Sequence, residues 1–154
     1  MYKKRIGELL VESGYLSNEQ LNHALNLRDT KYLTHRIGYV LTSLKLIEDD
    51  TLLEFLGKQR GTDAVNIQKI DISDDIIHLL PRKIAERYLV LPIKFISDGA
   101  NKKLMLATTD PTNNEIMDSV SFITGYCIHS VYSREEDLKW AIQFYYYYPK
   151  RDVN

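Results

Sequence analysis

The chain has 154 residues, enough for one domain or two small ones, and at that size it can bury roughly two-thirds of its unfolded surface without covalent staples. Its single cysteine, Cys127, excludes an intramolecular disulfide and argues against a cysteine-built zinc site. With 20 Lys and Arg against 21 Asp and Glu, a net charge of −1, it is not a duplex-DNA or membrane-surface binder driven by bulk charge.

The first sixty residues read as helices. In RIGELLVESGYL the apolar positions Ile6, Leu9, Leu10 and Val11 recur at helical spacing, and Gly14 follows where a helix would end in a left-handed residue. Ser17 fits an N-cap, with Gln20 completing a capping box. The helix behind it carries Leu21, Ala24, Leu25 and Leu27 on one face, and the pattern stalls in the polar stretch 29–35. It restarts as RIGYVLTSLKLIEDDTLLEFLGKQ, where Leu44 and Ile47 flank a break and the acidic stretch 48–50 suits the start of the next helix.

From Gly61 the patterning changes, and residues 61–70 read as the joint between a helical part, 1–60, and an α/β part, 61–148. Residues 64–67 are expected to form a short strand, Ser73 to cap a helix containing Ile76, Ile77, Leu79 and Leu80, and Pro81 to open another that runs to about Tyr88. Residues 89–108 read as a hairpin turning at Asp98-Gly99, with Pro92 marking an edge or a bulge. A helix over about 112–124 ends at Gly125, Cys127–Val131 is a strand, and Ser133 with Glu136 suggests a capping box for a last helix over 134–147. The tail 149–154 is expected to fray. The fold class is α+β: helical hairpin repeats followed by a small α/β part with a mixed sheet.

The first part repeats. Residues 5–28 laid over 36–59, a shift of 31, pair Arg5 with Arg36, Ile6 with Ile37, Gly7 with Gly38, Leu10 with Leu41, Leu16 with Ile47, Leu21 with Leu52 and Leu25 with Leu56. A common hairpin core accounts for the leucines. It does not ask for Arg-Ile-Gly twice, because glycine in a helix costs roughly 0.5–1 kcal/mol against alanine. The glycines imply close approach of something to the backbone. Arginine can bond the O6/N7 edge of guanine, stack on a base or pair with phosphate, and leucines one turn apart can seat a planar ring. The charge is balanced over both parts, nine basic against eight acidic residues in 1–61 and eleven against thirteen in 62–154, so an anion here must be held by placed groups. The pattern asks for a two-fold ligand with planar groups and phosphate.

The two copies resemble the 24-residue motif RLGxx-apolar-apolar-xxG-apolar-apolar-xxxxLxxxLxxQ, which occurs twice in the N-terminal domain of the MshE-type ATPases of type IV pilus assembly and type II secretion. LLPRKIAERYLVLPIKF, LMLATTDPTNNEIMDSVSFITGY and the tyrosine-rich last helix resemble the α/β half of that domain, so the resemblance covers about residues 4–148. It implies a cytoplasmic receptor for cyclic di-GMP, each motif taking one half of the dinucleotide. The contacts would fall on Arg5, Ile6, Gly7, Leu21, Leu25 and Arg28, and on Arg36, Ile37, Gly38, Leu52, Leu56 and Gln59. Two positions depart from the motif: Arg28 replaces its closing glutamine, and Lys45 replaces its internal glycine. Some members of the family serve instead as docking modules for other parts of the machine, and both departures favour that alternative. Implied partners are a secretion or pilus motor or an inner-membrane platform protein, with no nucleic acid and no membrane insertion.

Other groups point to no chemistry. His23, His35, His78 and His129 are scattered without metal-ligand spacing, although His35, beside Arg36, could touch a ligand. Asp71, Asp74 and Asp75 read as strand-end and helix-start residues and Cys127 as inert; some of Tyr145–Tyr148, at the end of an amphipathic helix, should be exposed, as an interface or a frayed terminus. No GxxxxGK[ST] loop is present to cradle ATP phosphates, no cofactor or metal is implied, and no catalytic constellation is found.

Overall fold

The computed structural model describes residues 5–31 and 36–148. The expectations for His35 and for the tail lie outside the described residues. The fold is α+β, helices first and a mixed sheet afterwards, as the periodicity predicts. The chain divides into two compact units, Met1–Gly61 and Thr62–Asn154.

The first unit holds α1 (Ile6–Glu12), α2 (Asn18–Thr30), α3 (Ile37–Ser43) and α4 (Asp49–Gln59). Its core is Ile6, Leu10, Leu16, Ala24, Val40, Leu41, Ile47, Leu52 and Phe55. The sequence repeat is also a backbone repeat. The turn after α1 closes by Tyr15 N–H to the Leu10 carbonyl at 3.0 Å, and the turn after α3 by Leu46 N–H to the Leu41 carbonyl at 3.0 Å. Both turns pass through a left-handed residue, Gly14 at φ 81° and Lys45 at φ 58°. The second copy therefore keeps the glycine conformation without the glycine, at a steric cost of roughly 1–2 kcal/mol. The two copies also start their second helices differently. Ser17 and Gln20 form the full capping box, while Glu48 at the equivalent place makes no side-chain cap and leaves the helix end to Asp49 and Asp50 in the first turn.

The second unit holds α5 (Asp74–Ile77), α6 (Arg82–Tyr88), β1 (Val90–Asp98), β2 (Asn101–Thr108), α7 (Asn114–Thr124), β3 (Cys127–Tyr132) and α8 (Glu135–Ile142), with a 3₁₀ turn at Ile67–Lys69 and a π-helical turn at Gln143–Tyr147. The sheet order is β1-β2-β3, with β1 antiparallel and β3 parallel to β2. The register slips between Pro92 and Lys94, so the proline sits on an outer strand at a bulge, where its missing N–H breaks no ladder. Gly125, at φ 80°, ends α7.

Two expectations need correction. Residues 64–67 do not form a strand: Ala64 makes a single parallel bridge to Tyr132, and Asn66 caps the 3₁₀ turn by accepting from Gln68 N–H at 3.1 Å. Ser133 does not cap α8, because its N–H is spent on the Thr108 carbonyl at 2.9 Å and its hydroxyl is buried without a hydrogen-bond partner. Arg134 takes the N-cap place, and its Nε reaches back to Asp137 at 3.1 Å. Gln68 Nε2 donates to the other oxygen of the same buried carboxylate at 2.8 Å, so the start of α8 is tied to the joint segment.

The tyrosine run is mostly structural. Ile72 N–H donates to the Tyr145 hydroxyl, which donates to the Ile70 carbonyl; Tyr146 donates to the Leu80 carbonyl and Tyr147 to Glu86. Tyr147 and Tyr148 stay exposed, while Tyr145 is buried and Tyr146 half-buried. Burial pushes the Tyr146 phenol well above its usual range, and the hydrogen bond to Glu86 pushes Tyr147 up as well.

Two measurements follow. Lys45→Gly should stabilise the fold by about 1 kcal/mol, raising the melting temperature by roughly 2–4 °C at this chain length, and Gly14→Lys should lower it by a similar amount. The raised phenols make the unfolded chain ionise first, so their contribution is complete below the ordinary tyrosine value of 10.0 and is lost as pH rises above it. Urea midpoints taken from pH 9 upward should fall, and Tyr146→Phe should flatten that fall while lowering the plateau.

Candidate ligand site on the helical repeats

Arg5 and Arg36 stand immediately before the first turns of α1 and α3 in nearly the same conformation, φ −71°, ψ 153° and φ −73°, ψ 155°. Arginine has no acceptor, so neither side chain caps its helix. Both are exposed, and among the described residues neither side chain has a hydrogen bond or an ion pair. Among the described residues nothing engages these two equivalent guanidinium groups.

The isoleucine and glycine behind each arginine turn inward. Ile6 and Gly7 are buried, Ile37 and Gly38 half-buried. The close approach that the glycines require is made within the unit. A Cβ built on Gly7 would lie 2.7 Å from Leu21 Cδ1, and one on Gly38 would lie 3.1 Å from Leu52 Cδ2. The repeated glycine and the repeated leucine are therefore one device: the glycine removes a side chain so that the leucine of the next helix can lie against the backbone. Helix packing accounts for the glycines, and ligand approach is not needed to explain them.

The remaining leucines divide. Leu52 belongs to the core, Leu21 and Leu56 pack at its margin, and Leu25 is half-buried outside that cluster. Leu21, Leu25 and Arg28 share one face of α2 at helical spacing. Arg28 Nε lies 3.3 Å from Asp29 Oδ1, an exposed pair of the kind that contributes little. Gln59 accepts from Arg60 Nη1 at 3.4 Å, and the same nitrogen donates to the Leu56 carbonyl at 3.2 Å. The helices interlock across the repeats, α1 packing on α4 and α2 on α3, so the two motifs share one core. Among the described residues no three His, Cys, Asp or Glu side chains gather as a metal site. None of the described helices is long and apolar enough to cross a membrane.

Comparison with known proteins agrees with this architecture. The family model of the MshEN domain matches residues 60–152. The type IV pilus assembly ATPase PilB of Myxococcus xanthus is 37% identical over 142 residues, 92% of this chain and 24% of that protein. PilB of Thermus thermophilus is 21% identical over 93% of this chain and 16% of its own length. A solved structure of MshE with cyclic di-GMP is 30% identical, with a TM-score of 0.60, over 93% of this chain and 99% of that one. The chain belongs to the MshEN domain family, the N-terminal domain found in type IV pilus and type II secretion ATPases. It spans less than a quarter of the length of the two pilus ATPases. The family model covers the α/β unit and begins just after the doubled motif at 5–59, whereas the pairwise relatives cover 92–93% of the chain.

The glycine–leucine device is open to test by stability. Gly7→Ala should destabilise the first unit by about 1–3 kcal/mol, the range for overpacking a well-filled contact, and Gly38→Ala by less, since its leucine stands farther off. In a Leu21→Ala background the Gly7→Ala cost should largely vanish, which a double-mutant cycle in urea would read as coupling.

Proposed function

We propose that the helical unit is a receptor for cyclic di-GMP, and that ligand binding biases a type IV pilus or type II secretion motor, or another partner such as an inner-membrane platform protein. The reading rests on one observation above others: two exposed arginines, without a side-chain partner among the described residues, at equivalent backbone positions of a two-fold repeat, in a chain 30% identical to MshE, whose structure carries that ligand. Each arginine engages a guanine edge or the adjacent phosphate, Leu21 with Leu25 and Leu52 with Leu56 pack on the bases, and Arg28 and Gln59 close the two half-sites. The isoleucines and glycines hold the helix starts in place beneath the ligand. A ligand bridging both motifs fixes their relative placement and shifts the population towards the arrangement it binds better. The site is one of recognition in the cytoplasm, with neither nucleic acid nor bilayer as its target.

Calorimetry with cyclic di-GMP tests the reading directly. Arg5→Ala and Arg36→Ala should each weaken binding by about 1–3 kcal/mol, roughly five- to 150-fold. Arg28→Gln should hold or raise affinity, and GMP, which bridges nothing, should bind far more weakly. The folded chain should release neither phosphate from ATP nor linear dinucleotide from cyclic di-GMP. No heat and no chemical-shift change at high micromolar ligand would end the receptor reading. It would leave the docking alternative, which the two departures from the motif, Lys45 and Arg28, favour, with the arginines facing a partner's acidic surface.

A further inference from the structure

The sheet of the α/β unit has two outer strands, and their edges are not alike. The edge of β3 is partly taken. Tyr132 N–H donates to the Asp63 carbonyl and Val65 N–H to the Tyr132 carbonyl, both at 2.9 Å, and the Thr62 hydroxyl donates to the Ser130 carbonyl at 3.1 Å. The edge of β1 is open near the hairpin turn. Asp98 and Asn101 face each other across a two-residue turn, so they form a hydrogen-bonded pair. Such pairs alternate along an antiparallel ladder. Ile96 and Lys94 therefore bond to β2, while Phe95 and Ser97 direct their N–H and C=O groups outward. Among the described residues neither backbone makes a hydrogen bond on that side. Lys94 and Ser97 are exposed, Phe95 and Ile96 half-buried. The turn ends this open edge on one side, and Pro92 with the register slip before Lys94 ends it on the other.

A lysine on an open edge is a common guard against pairing with foreign strands. Here the guard is matched within the same segment. Residues 94–98 read Lys-Phe-Ile-Ser-Asp. Set antiparallel to itself about Ile96, this segment is self-complementary. Position 94, a lysine, falls opposite position 98, an aspartate; Phe95 falls opposite Ser97; and Ile96 meets itself. The two outward-facing residues, Phe95 and Ser97, are then opposite one another, as a hydrogen-bonded pair requires. Sliding the copies by two residues keeps outward groups facing, but sets Lys94 against Ile96 or Ala100 and removes the charge match.

We propose that β1 pairs with β1 of a second copy of this chain, antiparallel about a two-fold axis at Ile96. Phe95 of each copy exchanges both backbone hydrogen bonds with Ser97 of the other. Two three-stranded sheets become one continuous sheet, through an interface that is the same patch on both copies. Lys94 repels a strand with a cation at the facing position and accepts its own copy. The contact is short, so the pairing is transient. It lies within the α/β unit and does not depend on the nucleotide reading.

Disulfide trapping of the full chain tests the register, with the exposed Cys127 replaced by serine. At the axis the two Ile96 Cα atoms would lie about 4.5 Å apart, within disulfide reach. The two Ser97 positions are diagonal, about 7–8 Å apart, and out of reach. Under a mild oxidant, Ile96→Cys should give covalent dimer roughly tenfold faster than Ser97→Cys. Adding Lys94→Asp or Asp98→Lys to Ile96→Cys turns both cross-strand pairs repulsive and should slow trapping about fivefold. Mixing those two variants restores both pairs, as a heterodimer, and should restore the rate. The mixture also shows that each variant is folded. Equal rates at 96 and 97, trapping that ignores the charge changes, or a mixture as slow as its components would overturn the proposal.

Discussion

Leu21 against Gly7, and Leu52 against Gly38, set the geometry on which the helical unit depends. Each contact brings a leucine side chain onto a helix backbone, closer than any residue with a Cβ would allow without displacement. This fixes the crossing of the two helices in each repeat, and so fixes where the residue two places before each glycine emerges. That residue is an arginine both times. The chemistry of the site and the packing of the unit are consequently one constraint. A side chain that thickened the crossing would also re-aim a guanidinium group.

The α/β unit is held differently. Its sheet has only three strands, and much of the segment over 62–89 is short turns with little ladder of its own. Phenol hydroxyls and one buried carboxylate tie that segment to the end of the chain. Asp137 is 3% exposed and is satisfied from two directions, by Arg134 and by Gln68. Removing one partner from such a buried group is costly, because the other is left with uncompensated charge. Polar contacts spanning about seventy residues of sequence do here what strand pairing does in a larger sheet.

Much of this was legible in the sequence, for identifiable reasons. The helix starts and stops in the first unit follow local rules, and Ser17 with Gln20 and the left-handed Gly14 are sufficient signals by themselves. The hairpin was marked by its turn residues, and its bulge by Pro92. What could not be read depended on distant partners. Ser133 has the local credentials of a cap, but its backbone is claimed by Thr108, across a sheet that local pattern does not reveal. Of the tyrosines, Tyr147 and Tyr148 are exposed as the helix end suggests, but the roles of Tyr145 and Tyr146 emerge only when the carbonyls of Ile70 and Leu80 are seen beside them. The arginines could be singled out because they repeat. The role of the glycines could not, because a close approach by a ligand and one by a leucine leave the same mark on a sequence.

The crossed pairing of the repeats, α1 on α4 and α2 on α3, has a consequence for how the unit assembles. A hairpin made of α1 and α2 alone would expose the surfaces that α4 and α3 cover. It is half of an object, and its complement is the other repeat. Because both repeats belong to one chain, the complement is held close by, at an effective concentration of roughly millimolar. During synthesis the first hairpin must therefore wait, incomplete, until Gln59 has been added. A chain broken between the repeats would recover its core only by finding another molecule.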